Sequence, residues 1–317
     1  MFDFELVKGN LTKQGYEYKQ FLGSSGFSCV LLCQSQNLKK DIAVKRIMKH
    51  RMTDDEFNSL VSLNHPYIAK YYESFGDRTA QYLVMEYCSN GTIQQKGRLS
   101  YEKFIFYAKQ MLEAIAYCHS NKIAHNYISP RNIFIDKYDN IKIADFEMVK
   151  KTEFNHKSNE KFNELIFQPP EMLLRDECCP FKADIWALGI TFFFMATGNY
   201  PFQSDDIEEL KLKMLKREFN FFKYKIHPKI RFLINKMTAI NQYSRSSAED
   251  LLKLPIFSTN FSRSLVTLGT QNCGKKSKIK LQNPNFMMNF KNKSHQVSNY
   301  SRKRVTFNSQ IEFNETI

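Results

Sequence analysis

The stretch that decides the fold is Ile123-Ala124-His125-Asn126-Tyr127-Ile128-Ser129-Pro130-Arg131-Asn132-Ile133-Phe134-Ile135-Asp136. It follows a pattern in which apolar residues recur at helical spacing from Phe104 to Cys118, and it precedes Asp145-Phe146-Glu147. Further short runs lie on both sides of it: Ile42-Ala43-Val44-Lys45, Tyr82-Leu83-Val84-Met85-Glu86-Tyr87-Cys88, Pro169-Pro170-Glu171 and Asp184-Ile185-Trp186-Ala187-Leu188-Gly189. Each run is a weak signal alone, but their order and spacing together are very specific.

Two patterns divide the chain before its C-terminal part. Up to about Tyr87 the sequence indicates short strands, interrupted by one helix with Leu60 and Leu63 on one face. Helical spacing dominates from Ser100 onward, notably in 104–118, 185–196 and 230–237. A strand-rich part followed by a helix-rich part predicts an α+β fold with two lobes.

Charge, apolar run length and cysteine spacing narrow the class of protein to which the chain can belong. The 317 residues carry a net charge of +14, of which residues 258–317 supply ten Lys/Arg and two acids. That segment is rich in Asn, Ser and Lys and lacks apolar periodicity, so we expect a disordered basic tail. The longest apolar run, Ile185 to Thr197, is short of the ~20 residues that span a bilayer, which predicts a soluble protein with no membrane span. Seven cysteines without a C-x-x-C pair favour a reducing compartment.

The series of motifs resembles that of eukaryotic protein kinases. Ile42-Ala43-Val44-Lys45 resembles the V-A-I-K strand, residues 123–136 the catalytic loop and Asp145-Phe146-Glu147 the D-F-G motif. Pro169-Pro170-Glu171 is similar to A-P-E, and Arg245 stands where the family's arginine pairs with that glutamate. The resemblance implies a two-lobed protein kinase fold.

The resemblance also implies the domain organisation. It covers Tyr16 to Phe257, which leaves an N-terminal extension at 1–15 and the tail at 258–317. Within the domain we expect a β-rich N-lobe at about 16–87 and a helical C-lobe at about 88–257. The run ending Leu254-Pro255-Ile256-Phe257 looks most like Ser/Thr kinases of the calmodulin-dependent-kinase-like group.

A site for ATP and Mg²⁺ follows from the resemblance. Lys45 would hold the α- and β-phosphates and pair with Glu56, and Asn132 and Asp145 would hold the metal. The nucleotide would lie among Gly23, Val30, Ala43, Met85, Glu86, Cys88 and Phe134. Two features depart from the family: serines replace two loop glycines, at Ser25 and Ser28, and Glu56 also completes a capping box that begins at Thr53.

The catalytic loop departs further. Tyr127 occupies the position of the catalytic aspartate, and a phenol with a pKa of about 10 is a poor proton acceptor near neutral pH. Ser129 replaces the lysine that steadies the transferred phosphate, and Asn126 replaces the arginine that clamps a phosphorylated activation segment. The sequence therefore predicts a pseudokinase with residual ATP binding that acts as a scaffold or an allosteric signalling partner. An active atypical Ser/Thr kinase, with Glu147 as a relocated base, is the alternative.

The tail contains a candidate docking peptide. Arg304-Val305-Thr306-Phe307 resembles the R-V-x-F peptide of protein phosphatase 1 regulators, in which Val305 and Phe307 would fill two pockets. An adaptor that recruits this phosphatase is thus a further alternative, and a solvated basic segment is the plainer one. We expect protein partners, no nucleic-acid binding, and a cytoplasmic location, with a nuclear one left open by the Lys/Arg clusters at 275–278 and 302–304.

Overall fold

A computed structural model describes residues 4–25, 28–48, 60–77, 79–146 and 165–258, all within the unit Met1–Ser262. The described part of the N-terminal half includes an N-terminal helix and a five-stranded antiparallel sheet in the order β1-β2-β3-β5-β4. In chain order these elements are α1 (Phe4–Lys13), β1 (Tyr16–Ser25), β2 (Ser28–Ser35), β3 (Lys40–Met48), β4 (Tyr71–Gly76) and β5 (Ala80–Glu86).

Strand register sorts the side chains of this sheet between its two faces. Val30 lies opposite Lys45, and Ala43 lies opposite Met85, so these four side chains share one face. Their neighbours along the strands point to the other face, where Leu31, Val44 and Val84 are buried. The face that carries Val44 is therefore largely apolar at its centre, whereas the other carries the lysine predicted to hold phosphate.

Helix α1 covers the apolar face. Val7 and Leu11, one helical turn apart, are buried in a cluster with residues of four strands, including Leu31, Val44 and Val84. Asn10 Nδ2 also donates to Asp77 Oδ2 at 2.8 Å, in the turn between β4 and β5. The segment 1–15, expected only as an extension, thus contributes to the core of the N-lobe.

Within the described residues, the C-terminal half is helical apart from one small ribbon. Its helices are α2 (Ile93–Lys96), α3 (Tyr101–Ser120), α4 (Pro170–Leu173), α5 (Pro180–Thr197), α6 (Ile207–Leu215), α7 (Pro228–Met237) and α8 (Ala248–Leu252). The ribbon pairs β6 (Ile133–Ile135) with β7 (Ile141–Ile143). The predicted helical patterns at 104–118, 185–196 and 230–237 all lie within these helices, and the two-lobed α+β prediction is confirmed.

Helix α5 is the centre of the C-lobe. It is apolar on all sides because it packs against α3, α7 and the segments around α6, so nearly every residue from Asp184 to Met195 is buried. Gly198 ends it with a φ of 75°, a left-handed conformation that glycine adopts without strain. Across the described residues, no helix combines the length and apolarity needed to cross a membrane.

Candidate active site

The first element of the site is an ion pair between the two lobes. Lys45 Nζ on β3 lies 3.0 Å from Asp145 Oδ1, two residues after the end of β7, and both side chains are about one-quarter exposed or less. Asp145 has a φ of 60°, a left-handed conformation that aspartate tolerates better than most residues. The pair therefore joins the N-lobe lysine to the C-lobe carboxylate that were predicted to contact phosphate and metal.

Buried side chains lie close to this pair. The His125 and Phe146 rings lie 4.3 Å apart, and Leu60 and Tyr71 belong to the same core as Phe146. Burial raises the pKa of the Tyr71 phenol, and the nearby Asp145 carboxylate raises it further. Backbone hydrogen bonds from Asp145 and Phe146 to Tyr71 oppose that rise. The Tyr71 phenol on β4 of the N-lobe therefore lies near the backbone of residues 145–146.

The sheet face above the pair holds the residues predicted for adenine. Val30, Ala43 and Met85 lie on the same face as Lys45 because each is paired across a strand with another member of the set. Gly23 pairs with Val30, and a Cβ built on Gly23 meets no atom within 4 Å. The described residues therefore leave open space beside Gly23, where the backbone was predicted to approach a phosphate.

The connection after β5 is held by a second contact between the lobes. Lys142 Nζ on β7 lies 2.9 Å from Glu86 Oε2, and the Glu86 amide donates to the Lys70 carbonyl oxygen at 2.8 Å. Phe134 pairs with Lys142 and so shares its face of the ribbon, at the side that reaches Glu86. Burial raises the pKa of the Cys88 thiol to about 12, so this thiol stays protonated at neutral pH.

The catalytic loop is organised around His125 and Asp184. Asp184 accepts hydrogen bonds from the backbone amides of His125 and Asn126, both at 2.8 Å, and its Oδ2 lies 2.9 Å from His119 Nε2. His125 Nδ1 accepts from the Tyr127 amide at 3.2 Å, which assigns the proton of the neutral ring to Nε2, 3.0 Å from the Ala144 carbonyl oxygen. Burial lowers the pKa of His125, in keeping with a neutral ring.

Tyr127 stands in this loop at the predicted position. Asn132 Nδ2 donates to the Tyr127 carbonyl oxygen at 2.8 Å, so the Tyr127 backbone takes part in closing the loop. Asn126 is exposed with a φ of 64°, and Ser129 is partly buried. At the three predicted positions, 126, 127 and 129, the loop therefore presents an amide, a phenol and a hydroxyl.

A buried ion pair anchors the C-lobe below the loop. Arg245 Nη1 and Nη2 donate to the two Glu171 carboxylate oxygens at 2.7 and 2.6 Å, and the guanidinium lies 5.2 Å from the Trp186 ring. Arg245 also donates to the carbonyl oxygens of Ala239, Ile240 and Lys182. The predicted pairing of Arg245 with Glu171 is confirmed.

Comparison with known proteins assigns this architecture. A sequence model described as "Protein kinase domain" matches residues 16–257. The chain belongs to the protein kinase family. The solved structure titled "Crystal structure of Rad53 1-466 in complex with AMP-PNP" superposes on this kinase domain with a TM-score of 0.68 and 25% identity, covering 78% of this chain and 66% of that one.

The curated relatives of this chain include Ser/Thr kinases. CBL-interacting serine/threonine-protein kinase 15 of Arabidopsis thaliana is 27% identical over 260 residues, which cover 78% of this chain and 62% of that protein. Calcium-dependent protein kinase 6 of Plasmodium berghei (strain Anka) is 31% identical over 274 residues, 78% of this chain and 18% of that protein. The kinase domain is thus of the Ser/Thr type, and the chain spans about three-fifths of the length of its CBL-interacting relatives.

The donor set of this kinase domain fits ATP and Mg²⁺. The Asn132 amide nitrogen is used by Tyr127, which leaves its oxygen, together with the Asp145 carboxylate, as hard ligands of the kind that Mg²⁺ prefers. No group of three His, Cys, Asp or Glu residues suited to a metal occurs in the described parts of the chain. A Mg²⁺ ion that is shared with substrate phosphates needs only one or two protein ligands and no such group. Bound there, Mg²⁺ would neutralise phosphate charge.

Some predicted residues lie outside the described ones. These are Glu56, Glu147, Val305 and Phe307. The sequence reasoning in turn missed three contributors: the Lys142–Glu86 contact, the hydrogen bonds of Asp184, and helix α1. Asp184 alone carried a signal, since it opens the motif that ends at Gly189.

Proposed function

We propose that this Ser/Thr kinase-type domain is a pseudokinase that binds ATP with Mg²⁺ and acts as a scaffold or allosteric partner in signalling. The observation that carries the proposal is Tyr127 at the position of the proton acceptor, inside a loop whose backbone is otherwise intact. Phosphoryl transfer needs an acceptor for the substrate hydroxyl proton and positive charge on the transferred group. Tyr127 and Ser129 supply neither of them.

Nucleotide binding is supported by different residues. Lys45 and Asp145 form a cation and carboxylate pair, and Asn132 adds a neutral oxygen ligand. Val30, Ala43 and Met85 give an apolar patch on one sheet face, against which an adenine ring would pack. A nucleotide that contacts both Lys45 and Asp145 would link the lobes, so ATP could set the shape that a partner recognises.

A transfer assay distinguishes this function from that of an active atypical kinase. Purified wild type is incubated with Mg-ATP or Mn-ATP and a mixture of Ser/Thr peptides. We expect no more phosphate incorporation than in Lys45→Met. Robust incorporation that disappears in Lys45→Met would establish an active kinase, and its loss in Glu147→Gly would then assign the base to Glu147.

Recruitment of protein phosphatase 1 is a second candidate function, carried by the sequence Arg304-Val305-Thr306-Phe307. These residues lie outside the described parts of the chain, so the support is the motif alone. The test is capture of purified phosphatase 1 catalytic subunit by the wild type and by Val305→Ala/Phe307→Ala. Capture by the wild type alone supports docking, and equal recovery by both excludes it.

A further inference from the structure

One segment of the C-lobe is strongly basic. Residues 216–237 contain seven Lys/Arg and one acid, a net charge of +6. The whole of residues 1–257 holds 36 Lys/Arg and 30 acids, which is also +6. Summed over the rest of that range, basic and acidic residues cancel, so the net charge of residues 1–257 equals that of this segment.

The segment comprises the loop between α6 and α7 and helix α7 itself, and the loop is held from below by aromatic rings. Phe193 on α5 packs against Phe219, Phe221 and Tyr224, with ring centroids 5.6 to 5.8 Å apart. Phe222, between these anchors, is 84% exposed. The fold thus fixes the loop and leaves one phenylalanine in solvent.

Cationic side chains lie over the exposed rings. Arg231 Cζ on α7 lies 5.5 Å from the centre of the Phe222 ring, which places the loop tip beside the helix. Lys236 Nζ lies 5.5 Å from the ring of Phe232, which is 53% exposed. We call Phe222, Lys229, Arg231, Phe232 and Lys236 the basic aromatic surface.

This surface has charge that the described residues leave unneutralised. Lys211 and Lys213 on the neighbouring α6 each pair with a glutamate one turn away, at 2.6 and 2.8 Å. By contrast, none of the ion pairs among the described residues involves a Lys or Arg between 216 and 237. An acidic ligand would therefore find these cations without an intramolecular competitor in that part of the structure.

We infer that the basic aromatic surface docks an acidic segment of a partner protein that carries a large apolar side chain. Carboxylates would face Lys229, Arg231 and Lys236, and the apolar side chain would cover Phe222. Exposed aromatic rings with flanking arginine are the residue types that dominate binding energy at protein interfaces. The chain's own tail is an unsuitable occupant, because residues 258–317 carry +8. The inference is independent of the nucleotide site.

The test uses the full chain and defined probes. The first probe is a short fluorescein-labelled peptide of glutamates with a central phenylalanine, followed by anisotropy at low salt. A matched peptide has serine at the centre, and vesicles of phosphatidylserine in phosphatidylcholine test a lipid occupant. The protein variants are Phe222→Ser and Lys229→Glu/Lys236→Glu. Their matched control is Lys137→Glu/Tyr138→Ser, which alters an exposed lysine and a ring beneath it on the β6–β7 turn.

Three results support the inference together. The phenylalanine peptide binds more tightly than the serine peptide, Phe222→Ser weakens it about five-fold or more, and the charge-reversed variant weakens it about ten-fold or more. The control variant and Lys45→Met bind as the wild type does. Equal loss in the control variant, equal affinity for both peptides, or binding to vesicles without binding to the peptide would each overturn it. Unchanged circular dichroism identifies variants that remain folded, as expected for exposed side chains.

Discussion

Asn132 holds the backbone of Tyr127: its amide nitrogen donates to the Tyr127 carbonyl oxygen at 2.8 Å. Because this bond uses the main chain, any side chain at position 127 leaves it intact. This bond, together with the backbone bonds from His125 and Asn126 to Asp184, maintains the conformation of the catalytic loop. The loop lacks the catalytic aspartate that the family has at position 127. Loss of transfer is therefore expected to be a matter of chemistry at two or three side chains and not of folding.

Restoring two of these side chains should restore transfer. We expect Tyr127→Asp/Ser129→Lys to phosphorylate Ser/Thr peptides at least about 100-fold faster than the wild type, since a proton acceptor alone, or a donor to the transferred group alone, contributes about 10²-fold or more. Asn126 is kept, because its φ of 64° suits asparagine better than the arginine of the family. The measurement is the initial rate of phosphate incorporation.

The control for that experiment is the same double variant with Asp145→Asn added. Incorporation should then return to the wild-type background. A double variant that is folded and binds ATP but gains no activity would show that residues outside the loop, and not 127 and 129, limit transfer.

Nucleotide binding should depend on Lys45 much more than stability does. The Lys45–Asp145 pair is partly exposed, so Lys45→Met should change the unfolding free energy without nucleotide by only about 1 kcal/mol or less. Saturating Mg-ATP should raise the wild-type melting temperature by roughly 5 °C, and this rise should be absent in Lys45→Met. Lys103→Met, which removes an exposed pair with Asp139, should keep the full rise.

Stability should fall in mild acid because of His125. Its neutral ring accepts the Tyr127 amide at Nδ1, and burial lowers its pKa in the folded protein below the ordinary value of 6.5. The unfolded chain therefore binds the proton more readily, so stability is complete above about pH 6.5 and declines as the pH falls below it. Urea unfolding between about pH 7.5 and pH 5.5 measures this slope.

Two variants assign that slope to His125. His125→Tyr should unfold with a shallower pH dependence than the wild type. His227→Asn, which alters an exposed histidine and keeps an acceptor for the Lys229 amide at the start of α7, should keep the wild-type slope. Equal slopes in all three proteins would contradict the assignment.

Arg245 should matter more to stability than any surface ion pair. It is fully buried and bidentate on Glu171, so Arg245→Met should cost about 3–5 kcal/mol by leaving a carboxylate buried without its partner. Glu171→Gln/Arg245→Met should cost less than the sum of the single changes. Lys253→Met, at an exposed pair with Asp250, should have no measurable effect in the same denaturant titration.

The sequence predicts the fold and the C-lobe anchor because their signals are short and local. The motifs at 123–136 and 145–147 place the loop, and Arg245 could be paired with Glu171 across 74 positions by the family pattern alone. Strand register is less well predicted, because it depends on which face of β3 packs against the apolar residues of α1. The resulting division put Val30, Ala43, Lys45 and Met85 on one face.

Other parts depend on tertiary partners that no local pattern reveals. Helix α1 shows only Val7 and Leu11 on its buried face, too few to predict a packed helix in ten residues. From the sequence, Lys142 is expected to be a solvated charge in a short strand. In the folded chain its Nζ lies 2.9 Å from Glu86 Oε2. The exposure of Phe222 is likewise invisible in the sequence, since three neighbouring aromatic residues of the same kind are turned inward.

The central claim is that this kinase-type domain holds ATP without transferring its γ-phosphate. Phosphorus NMR of Mg-ATP with stoichiometric protein and a Ser/Thr peptide observes binding and chemistry in one sample. We predict that the ATP resonances shift and broaden with the wild type, do so less with Lys45→Met, and then persist unchanged. Conversion to ADP with a new phosphopeptide resonance, absent with Lys45→Met, would contradict the loss of transfer, and resonances identical to those of free ATP would contradict the retained binding.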